Sequence, residues 1–92
     1  MYEISLNIKT HKGIHSYGCF SLGQDKGFAT SLYESLEGED EVYEGSVITI
    51  DLVKREQGIP FPIGLRHCSY EQLSINVKRI TKEMFKHLNL EN

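Results

Sequence analysis

Two glycines in GCFSLGQDKG, Gly18 and Gly23, have the separation of a phosphate-binding loop. Such a loop, G-x-x-x-x-G-K-[ST], works because its lysine neutralises phosphate charge and its hydroxyl holds magnesium. Here Gln24 and Asp25 stand at those two positions. An aspartate repels phosphate, and Phe20 and Leu22 fall where backbone amides should be bare. A simpler reading uses every residue: Phe20 and Leu22 enter a core, Gly23 turns a corner, and Asp25 caps a helix.

Cys68 precedes Ser69 at the expected start of a helix, with His67 beside it. A helix N-terminus and a neighbouring imidazole can lower a thiol pKa and make it nucleophilic. No Asp or Asn partner and no oxyanion loop accompany the pair, so a small apolar filler with slow thiol chemistry is the expected role of Cys68. Zinc needs three or four converging His, Cys or carboxylate ligands. His67 and Cys68 are adjacent on a strand and point to opposite faces, while His11 and His15 flank a turn and His87 stands alone. No metal and no cofactor is expected. His67 and Cys68 are kept as ligand candidates for the alternative reading, a small enzyme or ligand-binding protein with a composite site.

The acidic run Glu37, Glu39, Asp40, Glu41, Glu44 lacks the ligand order of a calcium loop and reads as a solvated connector. Lys78, Lys82 and Lys86, with Arg79 beside them, form a basic stripe on the last helix. That stripe is first a solvated face and second a dock for an acidic partner, for which the 37–44 loop of a second copy is one candidate. With a formal net charge of −3, nucleic acid is not an expected partner.

Six elements must position these groups. Tyr2, Ile4, Leu6 and Ile8 alternate with polar residues, so the chain opens with a half-buried strand. A turn at Gly13 leads to a second strand over Ile14–Leu22. Phe28, Ala29, Leu32 and Leu36 then recur at helical spacing, with Asp25 as N-cap and Gly38 as C′ residue. Ile48, Ile50 and Leu52 restore period two. The strand FPIGLRHC follows, with Phe61, Ile63, Leu65 and His67 on one side. Pro60 and Pro62 place its start at a sheet edge or a bulge. Ser69 and Gln72 make a capping box before Leu73, Val77, Ile80, Met84 and Leu88.

The order ββαββα predicts a single α+β domain over residues 1–92: a two-layer sandwich, a largely antiparallel four-stranded sheet with both helices on one face. ISLNIK resembles ITIDLVK at an offset of 44 to 45, with a Gly-Ile turn after each. An internal hairpin–helix duplication fits this, although alternating strands look alike in any protein.

The face left bare by the helices then carries Ser5, Asn7, Lys9, Tyr17, Cys19, Thr49, Asp51, Val53, Arg66 and Cys68, with an ion pair between Asp51 and Arg66. An RNA-reading sheet needs several aromatics and a basic surround, and this one has Tyr17 alone. Such a mixed face suits another protein surface. The expectation is a small cytoplasmic interaction or regulatory module that self-associates into a homo-oligomer through the open face or an edge strand, with a small enzyme or ligand- or metal-binding protein as the alternative. No signal peptide, membrane span or disulfide framework is read from the chain.

Overall fold

The computed structural model describes residues 1–87, so Leu88 lies outside the described residues. The elements are β1 (Tyr2–Thr10), β2 (Gly13–Gly23), α1 (Lys26–Glu34), β3 (Ile48–Glu56), β4 (Ile59–Cys68) and α2 (Tyr70–Phe85). The strands make one antiparallel sheet in the order β2-β1-β3-β4. The two hairpins therefore meet along β1 and β3, and both helices cover one face. The α+β sandwich expected from the pattern is the observed fold.

Period-two alternation places Tyr2, Ile4 and Leu6 of β1 and Ile48, Ile50 and Leu52 of β3 on the covered face, all buried. The helices answer with Ala29, Leu32, Tyr33 and Leu36 from α1 and its connector, and Ile80 from α2. Each fully buried Ile or Leu contributes roughly 1.5–3 kcal/mol, so this central stripe dominates the stability of a small core.

Each helix starts where its cap lies. Asp25 accepts a hydrogen bond from the Phe28 N–H at 3.0 Å, and Ser69 and Gln72 form the reciprocal capping box. α1 ends earlier than its spacing suggests, because Ser35 is its C-cap and the Ser35 hydroxyl donates to Leu32 O at 2.6 Å. Gly38 is consequently not the residue after the cap. It lies against β4, where a Cβ would meet His67 O at 3.0 Å and Arg66 Cβ at 3.2 Å.

The hairpins are equivalent in geometry, at an offset different from the one their sequences suggest. A β-bulge sits between Leu6 and Asn7, where Gly18 faces Leu6 and Ser16 faces Asn7. The second sits between Leu52 and Val53, where Gly64 faces Leu52 and Pro62 faces Val53. Leu52, Val53, Pro62 and Gly64 each follow their counterparts by 46 positions. The local twofold axis therefore passes through the Ser5–Asp51 pair. The sequence likeness at 44 keeps the same face parity but slips by one residue pair, as alternating strands allow.

β4 departs from expectation. Ile48 faces Cys68, Ile50 faces Arg66 and Leu52 faces Gly64, so Cys68, Arg66 and Gly64 lie under the helices. Leu65 and His67 lie on the bare face, opposite Asp51 and Thr49. The expected placement of Arg66 and Cys68 on the bare face is thus corrected. The bulge at Ile63 breaks the alternation that grouped Phe61, Ile63 and Leu65. Arg66 belongs under α1 because its guanidinium donates to Tyr33 O and Leu36 O, each at 2.8 Å, and lies 4.8 Å from the centre of the Tyr33 ring. The last carbonyls of a helix attract a cation, which makes this position favourable for arginine.

Candidate functional site

The bare face of the sheet is built from alternate residues of the four strands. Its centre is the pair Ser5 and Asp51, with Asn7 and Thr49 next along the strands. The Ser5 hydroxyl donates to Asn7 Oδ1 at 3.3 Å, and Asn7 Nδ2 donates to Asp51 Oδ2 at 3.1 Å. The second carboxylate oxygen, Asp51 Oδ1, is sealed from solvent and has no hydrogen-bond partner. Burial raises the Asp51 pKa; the Thr49 hydroxyl and the His67 charge oppose that rise without closing a hydrogen bond on Oδ1. A sealed acceptor without a donor costs free energy, so this atom is the least satisfied point on the face.

Below that pair lies a charged cluster. Glu3 is buried and accepts from Arg55 Nε at 2.7 Å and from the Cys19 thiol at 2.9 Å. The Arg55 hydrogen bond, then that of Cys19, holds the Glu3 carboxyl below its usual range against the effect of burial. Burial first, and then the same carboxylate, pushes the Cys19 thiol up to about 11. A thiol so raised is a hydrogen-bond donor and not a nucleophile at neutral pH. Val53, half-buried, and Leu65, 47% exposed, add apolar area on the β3–β4 side.

Cys19, Thr49, Asp51 and Val53 therefore share the bare face, as read from the sequence. Arg66 does not, and the Asp51–Arg66 ion pair is replaced by Asn7 on one side of the sheet and the α1 carbonyls on the other. Tyr17 is the extra residue of the β2 bulge. Burial raises its phenol pKa, followed by the charges of Cys68 and Tyr70, which lie on the helix side. His67 and Cys68 do point to opposite faces. Cys68 is fully buried and burial pushes its thiol up to about 11. Among the described residues, no three His, Cys, Asp or Glu side chains converge as metal ligands.

The charged surfaces are pinned differently. Lys78, Lys82 and Lys86 are exposed along α2, with Glu83 3.9 Å from Lys86. The acidic connector is held by its backbone: Glu37 by Asn76, Glu39 by His67, and Tyr43 by Ser46. Its carboxylates remain at the surface. Glu3 and Arg55 are the functional candidates that sequence reasoning missed, and Asn7, read onto the face, was not singled out. Their alternation placed them outward, but nothing in the spacing showed that β1 and β3 would sit side by side.

The two edges of the sheet are unlike. Lys9 N donates to Val47 O and Arg55 N donates to Met1 O. The odd-numbered residues of β1 thus bond toward β3 and the even-numbered ones toward β2. Carried across both ladders, this leaves Pro60, Pro62, Leu65 and His67 of β4 facing out of the sheet. Two of these have no N–H to offer, and His67 is already taken by Glu39, through N–H to O contacts of 2.8 Å in both directions. The β4 edge is blunted.

Among the described residues no helix is long and apolar enough to cross a membrane. No protein-family model matches this chain, and no curated protein or solved structure is significantly similar to it.

Proposed function

We propose that this protein is a small interaction module whose working surface is its bare sheet, and that it associates with a second copy of itself. The carrying observation is Asp51 Oδ1, an acceptor sealed from water yet unpartnered at the centre of the face. A donor from an opposing protein surface completes it once the side chains that seal it give way, and Val53 and Leu65 supply apolar contact beside it. Charge-assisted hydrogen bonds of this kind gain strength where water is excluded. An open surface is a natural means of recognition for a small domain with a modest core.

The composite site at His67 and Cys68 draws no support from the geometry. One side chain is on the bare face and the other is fully buried beneath the helices, with its thiol shifted away from reactivity.

The face is tested by Thr49→Glu and Val53→Glu, which place a new carboxylate within one residue pair of Asp51. Sedimentation velocity should show weaker association for both variants, with unchanged circular dichroism. Association equal to that of the wild type would remove the face from the interface.

A further inference from the structure

The first hairpin pairs from Glu3–Ser21 to Thr10–Gly13 as the second pairs from Thr49–His67 to Glu56–Ile59, differing only by an extra register shift at Tyr2. Their outer edges can therefore be compared residue by residue. Pro60, Pro62, Leu65 and His67 of β4 correspond to Ile14, Ser16, Cys19 and Ser21 of β2, 46 positions earlier. The backbone N–H and C=O groups of these four β2 residues also face out of the sheet. Here no proline removes a donor and, among the described residues, no loop pairs with the strand. All four are exposed. From Gly13 to Gly23 the strand carries no charged residue, and Ile14, Tyr17 and Tyr70 stand 65%, 45% and 66% exposed on and beside it. A long, uncharged, unpaired edge is a template for another strand. The same fold blocks three of the four equivalent positions at its other edge, Pro60, Pro62 and His67.

We infer that the β2 edge pairs with the β2 edge of a second copy, antiparallel across a twofold axis perpendicular to the sheet. This rests on the self-association proposed above and adds an edge contact to the face contact, so Thr49→Glu and Val53→Glu should leave a β2-paired dimer intact. One register satisfies the outward groups of both strands: Ser16 opposite Cys19 of the second copy, and Ile14 opposite its Ser21. In that register all four partners lie on the bare face, as cross-strand neighbours must. The two bulges meet at the axis, where Tyr17 of each copy falls opposite Gly18 of the other. No like charges face one another along the strands, and the Lys12 turn of one copy reaches the Gly23–Asp25 corner of its mate. A second copy is favoured over an unrelated strand because this one strand is complementary to itself at every outward position. The result is a continuous eight-stranded sheet, with all helices on one side and the two bare faces side by side.

The test transfers the blunting device from one edge to the other. Ile14→Pro with Ser16→Pro places prolines where Pro60 and Pro62 already sit in the equivalent hairpin, so the monomer fold accommodates them. Native mass spectrometry of the wild type should show twice the chain mass or a multiple of that, and the double-proline variant half the wild-type value. As a second probe, the Ile14→Cys, Ser21→Cys double variant oxidised with diamide should cross-link between copies and yield a covalent dimer, while the wild type stays uncross-linked. A monomeric wild type would overturn self-association and this inference together. An oligomeric wild type whose mass the prolines leave unchanged, with no cross-link in the double-cysteine variant, overturns the β2 pairing alone and returns the contact to the face.

Discussion

The side-chain amide of Asn76 in α2 mimics a strand partner for Glu37: Nδ2 donates to Glu37 O at 2.8 Å, and Oδ1 accepts from Glu37 N–H at 2.7 Å. Asn76 is fully buried and ties the connector after α1 to the middle of α2 through two part-buried bonds. Asn76→Leu keeps the volume and removes both bonds. Chemical denaturation should show a loss of roughly 2–3 kcal/mol, because two backbone groups lose their partners on burial. A neutral result would mean that water satisfies Glu37.

Gly64 is the second constraint on α1. A Cβ there would come within 2.7 Å of Tyr33 Cε2, and Tyr33 uses its hydroxyl to donate to Ile50 O at 2.9 Å. Gly64→Ala should cost about 1–3 kcal/mol by pushing the ring off the sheet. Tyr33→Phe in the same background should then cost less than it does alone, since the bond is already strained. Additive losses would show that the ring does not move.

Asp51 sets a pH dependence of unusual sign. Its pKa is raised by burial, so the folded state resists the charged form. That cost is present above the folded pKa and is relieved as pH falls through it. At pH 7, Asp51→Asn should therefore be more stable than the wild type by about 1 kcal/mol, the scale of one poorly satisfied buried group. The gap should close as pH drops through the carboxylate range. A constant difference, measured as urea midpoints at each pH, would mean that Asp51 is well solvated.

Both thiols should be slow. Cys19 is exposed but hydrogen-bonded to Glu3, and Cys68 is sealed, with each pushed up to about 11. Titration with a disulfide reagent at pH 7 should label Cys19 slowly and Cys68 only on unfolding. Replacing Glu3 with Gln should speed Cys19 by lifting the carboxylate's effect. Fast labelling of Cys68 in the native state would contradict its burial.

Much of this fold was readable because local signals agreed. β1 and β3 alternate cleanly, Asp25 and Ser69 are strong caps, and the proline pair marked β4 as an edge. The side-chain direction of β4 was not readable: one bulge residue, Ile63, inverts the alternation, and three apolar residues in period two outweighed a single arginine in the pattern. Arg66 is drawn under α1 for a reason that spacing cannot show, since its partners are carbonyls at the end of α1. Asn76 was hidden likewise. It stands 44 positions after Leu32, at the matching place in its helix, and only the approach of the connector explains a polar residue there. The unpaired Asp51 oxygen required knowledge of which strands are neighbours.

The measurement that bears most directly on the central claim is native mass spectrometry of freshly purified wild-type protein at micromolar concentration, without added metal. A population at twice the chain mass, or an even multiple of it, with no additional bound mass is the expected result. A clean monomer over the whole concentration range would contradict the account.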